Sequence, residues 1–172
     1  LGTGVRFGEF AGLRRRRVHL ERTPPVLQVV DVRYQAGRFG SGFKPRPKSD
    51  AGIRDVEIPP HLLPAVKDHL ARFVGPHRDA LLFPAAHGGH LAPATLYRRF
   101  YAARDAAGRP DLRWHDLRHS GAVLAAATGA TLAELMARLG HSTPQAAMRY
   151  QHATQGRDRQ IAALLSKLVE GR

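Results

Sequence analysis

The feature that most constrains the fold of this chain is a change in hydrophobic period near Pro60. Before it, apolar residues alternate or run together in short segments broken by glycine and proline, which is strand patterning. Val26–Tyr34 (Val26, Val29, Val30, Val32, Tyr34) predicts one strand, the neighbourhood of Phe39–Phe43 a second, and Ile53–Ile58 (Ile53, Val56, Ile58) a third. Gly37, Gly40 and Gly42 interrupt them, and Lys44–Gly52 reads as a turn rich in prolines and cations. After Pro60 the apolar residues recur every three to four positions, which is helical patterning. Leu62, Leu63, Val66, Leu70, Phe73 and Val74 form one stripe, and Leu96, Phe100 and Ala103 are the inward residues of a helix over 94–107. Further helices are predicted over 115–128, Thr131–Leu139, from Pro144 onward, and over 157–169, the last with Ile161, Leu164, Leu165 and Leu168 inward. A helix over 5–13, carried by Val5, Phe10 and Leu13, precedes the strands. The expected class is α+β: a mainly helical domain with a small three-stranded antiparallel sheet.

Length and composition narrow the function. A chain of 172 residues buries one ordinary core, so a single domain is expected. No apolar run approaches the roughly 20 residues of a membrane span, and the charged, glycine-broken N-terminal segment is no signal peptide. The absence of cysteine excludes disulfides, thiolate metal sites and cysteine nucleophiles. Lys and Arg number 27 against 14 acids, a net charge of +13 spread along the whole chain. Only Lys44, Lys48, Lys67 and Lys167 are lysines. A folded, arginine-rich basic surface suits a polyanion partner, although charge does not separate DNA from RNA, and a genomic preference for arginine gives the same composition.

The residues able to do chemistry lie in the helical part. His115, Arg118 and His119 fall within one helical turn, with His115 and Arg118 on one face. They sit in a first turn, where backbone N–H groups favour an anion. An arginine there grips two phosphate oxygens as a planar fork. Leu139-Gly140-His141-Ser142 closes a helix, glycine suiting a left-handed C-terminal position and holding His141 at a helix junction. Tyr150 follows on the next helix. A phenol with a pKa of about 10 is ionised to roughly one part in a thousand at neutral pH, so as a nucleophile it needs nearby cations or a base. A tyrosine packed into the core accounts for Tyr150 taken alone.

Taken together the motifs resemble a known family. Thr3-Gly-Val-Arg-Phe-Gly-Glu9, Pro47-Lys-Ser-x-Ala-Gly-x-Arg-x-Val56, His115-x-x-Arg118-His-Ser120, Leu139-Gly-His-Ser142 and Tyr150 look like the successive boxes of the tyrosine recombinases, the phage-integrase family. The resemblance implies that residues 1–172 are the catalytic domain, with the family's N-terminal DNA-clamp domain outside this chain. It implies that Arg6 and Arg118 clamp the scissile phosphate. Lys48, on the turn between two strands, would protonate the leaving 5′ oxygen, with Lys44 as the competing candidate. His115 and His141 would assist phosphate binding and proton transfer, and Tyr150 would form a 3′-phosphotyrosine link. No metal and no other cofactor are implied. The implied partner is double-stranded DNA, bound by a homotetramer on paired sites, although this piece alone could be monomeric. The implied setting is the cytoplasm, for a bacterial or phage-encoded protein.

Other readings compete. Thr131–Tyr150 has the outline of a helix-turn-helix DNA-binding module, which leaves Arg6, Lys48 and the His115/Arg118 pair without a purpose. A type IB topoisomerase-like enzyme would share the chemistry. His115 and His119 have metal-like spacing, but no glutamate lies between them, and His119 reads as a packing residue behind the site. His87 and His90 read as surface residues. Arg14–Arg17 either contact a DNA backbone or lie on a solvated face.

Overall fold

The structure is a computed structural model that describes residues 3–30, 32–35, 41–44, 50–151, and 158, 159, 162, 163 and 166. Helix α1 (Phe7–Gly12) opens the chain and leads through a 3-10 turn (Arg15–Arg17) into β1 (Val18–His19). Strands β2 (Val26–Val29), β3 (Val32–Gln35), β4 (Ser41–Lys44) and β5 (Arg54–Glu57) follow. Beyond them lie α2 (Leu63–Arg72), α3 (Pro93–Ala106), α4 (Trp114–Ala127), α5 (Leu132–Leu139) and α6 (Pro144–Gln151). The expected α+β class holds, with helices after Pro60. The predicted helix over 157–169 falls largely on residues outside those described.

The three-stranded antiparallel sheet is present, but its membership differs from the sequence reading. Its order is β1-β2-β5, with Val18 opposite Leu27 and Leu27 opposite Val56. The predicted strand over Val26–Tyr34 is two strands. β2 joins the main sheet, while β3 pairs with β4 in a separate hairpin, Tyr34 opposite Gly42. The strand expected near Phe39–Phe43 thus belongs to the hairpin, and the short β1 takes its place. A two-residue strand carries too little pattern to be read locally, because its partner eight residues on defines it.

Two apolar clusters make the core. The sheet-side cluster gathers Leu13, Leu27, Ile58, Val74 and Leu82, with Leu62, Leu63, Val66 and Leu70 packed against it. Each such large side chain contributes roughly 1.5–3 kcal/mol on burial. The helical cluster, from α4, α5 and α6, gathers Ala122, Ala126, Leu135, Leu139, Ala147 and Tyr150. Among the described residues, two expected core residues are not inward. Phe73 is 55% exposed; it caps the C-terminus of α2, where the departing chain turns it toward Arg72 and His69. Ala103 is exposed on the outer side of α3.

Arg14–Arg17 serve the fold itself. Arg14 donates to the Asp79 carbonyl, Arg15 to the carbonyls of Leu70 and Val74, Arg17 to the Gln28 side chain, and Arg16 pairs with Asp79. They lace the strand entry to the end of α2 and the loop beyond it, at positions the sequence reading divided between DNA contact and open solvent. His90 is also not a plain surface residue: it is half-buried, with Nδ1 3.2 Å from the Ala11 carbonyl. Among the described residues no helix is long and apolar enough to cross a membrane.

Candidate active site

Helices α1 and α4 begin the same way. Each has an arginine at the N-cap and an acid three residues later that turns back to accept the arginine's backbone N–H: Glu9 from Arg6 at 2.8 Å and Asp116 from Arg113 at 2.8 Å. This half of a capping box fixes the helix starts, placing Phe7 and Trp114 as first residues. It also means that α1 begins after Arg6, whose backbone is extended, rather than near Val5. Arg118 lies one turn into α4 and His115 nearer its start, as the spacing predicts.

Helix α5 is the keystone. Thr131 caps its N-terminus, accepting from the Glu134 N–H, while Glu134 accepts from the Thr131 N–H at 2.7 Å. At the other end Gly140 takes the left-handed conformation, φ 63°. A Cβ there would come within 2.8 Å of Arg54 Nη1 and 3.0 Å of the Ala51 carbonyl oxygen, so glycine is required by conformation and by space. The last carbonyls of a helix lack intrahelical partners and carry its negative end. Here three consecutive ones each accept from a different arginine. The Arg138 carbonyl takes Arg54 Nε at 2.8 Å, the Leu139 carbonyl takes Arg118 Nη2 at 2.6 Å, and the Gly140 carbonyl takes Arg6 Nη2 at 2.8 Å. Three guanidinium groups from distant parts of the chain are thereby aimed at one helix end.

Each is held by further contacts. Arg118, 6% exposed, donates its other branch to the Gly4 carbonyl and touches His141 Nε2 at 3.1 Å. Gly4, at φ 61°, lets that carbonyl approach, since a Cβ would meet Leu139 Cδ2 at 2.8 Å. Glu9, 2% exposed, accepts from Arg6 Nη1 at 2.9 Å and from both branches of Arg54 at 3.0 and 3.1 Å. Burial would raise the Glu9 carboxyl, but hydrogen bonds and charge from Arg54, then Arg6, outweigh it and leave it below the usual carboxylate range. The Arg6 side chain remains 40% exposed. Arg118 is lowered to about 10 by burial and then by the charge of Arg6, so it stays cationic at neutral pH.

Arg54 and Glu9 are the partners that sequence reasoning passed over. The signal was parity. Arg54, Val56 and Ile58 lie at alternate positions and so on one face, and Val56 and Ile58 are buried. Ile53, grouped with them in the sequence reading, is out of phase. A charge in step with a buried strand face has to find a partner, and here Glu9 is that partner.

His141 lies against Arg118 and Tyr150. Guanidinium only donates, so Nε2 of His141 accepts from Arg118 and the ring proton is assigned to Nδ1, which is buried and has no hydrogen-bond partner among the described residues. Burial, then the charges of Arg118 and Arg6, lower His141 to about 4. Near pH 7 these surroundings hold it neutral. His115 is exposed and is also lowered, by burial and then by His119 and Arg118.

Tyr150, 5% exposed, packs its ring in the helical cluster. Its ring lies 6.3 Å from that of His141 at 12°, and its hydroxyl sits 2.6 Å from Nδ1 of His119. His119 in turn meets the His115 ring edge to face at 4.5 Å. The structure therefore gathers Arg6, His115, Arg118, His141 and Tyr150 around the end of α5. Lys48 lies outside the described residues, and of Lys44 only the backbone, in β4, is described. The α5–α6 pair turns Leu135, Leu139, Ala147 and Tyr150 into one core with α4, so it is an integral wall of the site. An apolar cavity of about 300 Å³, lined by Phe7, Phe10, Tyr97 and Trp114 among others, shares Arg6, His115 and Arg118 with it.

The chain is similar to known proteins in sequence and in fold. The chain is 63% identical over 169 residues to the prophage phiRv2 integrase of Mycobacterium tuberculosis, covering 96% of this chain and 44% of that protein. It is 38% identical over 170 residues to the integrase of Mycobacterium phage D29, covering 97% and 45%. The chain thus spans less than half the length of these relatives. Its fold matches the Tn1549 transposon integrase solved with circular intermediate DNA, at TM-score 0.72 and 19% identity, over 97% of this chain and 56% of that one. It also matches the XerH site-specific recombinase bound to difH in a post-cleavage complex, at TM-score 0.65 and 24% identity, over 96% and 43%. The profile described as the phage integrase family matches residues 1–157, and the chain belongs to that family.

Proposed function

We propose that this chain carries the strand-cleaving and rejoining chemistry of a site-specific DNA recombinase, with Tyr150 as the nucleophile. The observation that carries the reading is the α5 terminus, where Arg6 and Arg118 are fixed by adjacent carbonyls beside His141 and Tyr150. Phosphoryl transfer is chiefly positioning and charge stabilisation, and cations already tied in place need no reorganisation during reaction. In this mechanism Arg6 and Arg118 neutralise the non-bridging oxygens of the scissile phosphate. His141 steadies the Arg118 guanidinium through Nε2, and His115, at the exposed edge, assists. The Tyr150 oxygen bonds to phosphorus while the bond to the 5′ oxygen breaks, and Lys48 supplies the proton that oxygen takes. The 3′-phosphotyrosine conserves the phosphodiester bond energy until a 5′ hydroxyl attacks and releases the tyrosine.

The proposed partner is double-stranded DNA, engaged by a homotetramer on paired sites, with a clamp domain outside these 172 residues completing the grip. The basic charge of +13 and the DNA-bound relatives support that partner. The test is a suicide DNA substrate that traps the covalent intermediate. The full-length protein should form an adduct mapping to Tyr150, and Tyr150→Phe should form none while still binding DNA. An adduct that persists in Tyr150→Phe refutes the assignment.

A further inference from the structure

We propose that His119 is the base that takes the phenolic proton from Tyr150 as the nucleophile attacks, and the acid that returns it on rejoining. The inference rests on the reading of Tyr150 as the nucleophile. It assigns chemistry to a histidine that the sequence places merely behind Arg118.

Geometry singles His119 out from the other histidines. Its Nδ1 lies 2.6 Å from the Tyr150 hydroxyl, within the 2.6–3.2 Å that direct proton transfer asks of a base. The ring is held by α4, one residue past the buried Arg118, and is braced edge to face by His115. The phenol is held by a ring packed among Ala122, Ala126, Leu135 and Ala147. Both partners therefore have little freedom to separate. His141 is unsuited to the task because its Nε2 already accepts from Arg118. Among the described contacts His115 reaches the phenol only through His119.

The step balances as follows. With its own proton on Nε2, His119 presents the Nδ1 lone pair to the phenol. The O–H bond of Tyr150 breaks, its proton passes to Nδ1, and the oxygen's electron pair forms the bond to phosphorus. The bond from phosphorus to the 5′ oxygen breaks, and that oxygen takes its proton from the general acid. His119 is then an imidazolium facing the phosphotyrosine. In rejoining, the 5′ hydroxyl loses its proton to the former general acid and bonds to phosphorus. The tyrosine oxygen leaves with the proton on Nδ1. No oxidant, reductant or metal enters.

The experiment measures single-turnover adduct formation on a suicide substrate by the full-length protein. His119→Asn keeps an oxygen close to where Nδ1 lies, so it can accept the phenol's hydrogen bond but not its proton. Loss of general-base assistance should slow the adduct by about 10²–10⁴ at neutral pH, with DNA binding retained. Replacing Tyr150 by a trifluorotyrosine, whose phenol ionises near neutrality, should restore the His119→Asn rate by about tenfold or more. The same replacement in the protein with His119 intact should change the rate by less than about threefold, since the base is already in place. A wild-type rate in His119→Asn would overturn the proposal, as would an equal response of the two proteins to the fluorinated residue. If His119→Asn folds poorly, the intact protein still decides: a gain of about tenfold there would mean that deprotonation is unassisted. An adduct in Tyr150→Phe would instead sink the nucleophile reading, so the two failures are distinguishable.

Discussion

The two core clusters are built on different plans. The sheet-side cluster is filled by large aliphatic residues, Leu13, Leu27, Ile58, Val74 and Leu82, and carries no candidate chemistry. The helical cluster is half alanine, with Ala122, Ala126 and Ala147 each fully buried. Small side chains let α4, α5 and α6 pack closely, and closeness is what the site needs. It brings the Tyr150 hydroxyl onto His119 and the carbonyls at the end of α5 within reach of Arg118. One cluster supplies bulk burial, and the other converts packing into placement. Damage to the first should lower stability, whereas damage to the second should lower activity by more than the stability lost.

The sharpest test of that contrast is Arg118→Lys. Lysine keeps the charge but cannot reach the Gly4 and Leu139 carbonyls as a fork while also contacting His141. Single-turnover cleavage should fall by about 10²–10³, the usual cost of removing one fixed transition-state donor, with DNA binding at moderate salt retained. A rate within a few-fold of wild type would mean that the α5 carbonyls do not orient this cation.

A paired substitution separates the clusters directly. Leu13→Ala should cost about 2–5 kcal/mol by leaving a cavity in the sheet side. Ala126→Val should cost about 1–3 kcal/mol by overfilling the helical side. Measured well below their melting temperatures, Leu13→Ala should cleave near the wild-type rate and Ala126→Val should be slow, because its added methyls push α4 from α5 and α6. Denaturant titration and adduct formation on both proteins would check this, and equal activity would dissolve the distinction.

The smallest expected effect is on acid stability. The folded protein holds His141 at about 4, below the ordinary histidine value of about 6.5. Between those values the unfolded chain binds the extra proton, so stability rises with pH across the window. The contribution is present above about pH 6.5 and is lost as pH falls toward 4. Glu9, also depressed, adds a loss in the same direction below the ordinary glutamate range. Thermal melts of wild type and His141→Gln between pH 7 and 4 should converge as the wild type loses its advantage. Parallel curves would show that His141 is not held neutral by its surroundings.

How much was legible depended on distance along the chain. Gly140 in the left-handed region, Pro144 in the first turn of α6 and the helices after Pro60 were readable because their causes lie within a few residues. The break between β2 and β3 was not, since Val26, Val29, Val30, Val32 and Tyr34 form one apolar run whose division depends on which strand each half pairs with. Arg54 was readable in principle, from its parity with Val56, but its partner Glu9 lies 45 residues away. Tyr150 was read as core residue or nucleophile; its ring is packed in the core and its hydroxyl faces His119.

The sequence by itself determined the helical frame, the order of the five boxes and the residue types of the candidate site. Periodicity, caps and turns act over one or two helical turns, so they are written locally. Only the tertiary structure decided which backbone oxygen each cation would hold. Arg118 reaches Gly4 across 114 residues and Arg6 reaches Gly140 across 134. The same is true of the histidine that meets the Tyr150 hydroxyl. The two arginine bonds join a side chain to a backbone carbonyl, which carries no sequence signature. Packing of α4, α5 and α6 with one another and with the segment before α1 sets them, and no local pattern can announce them.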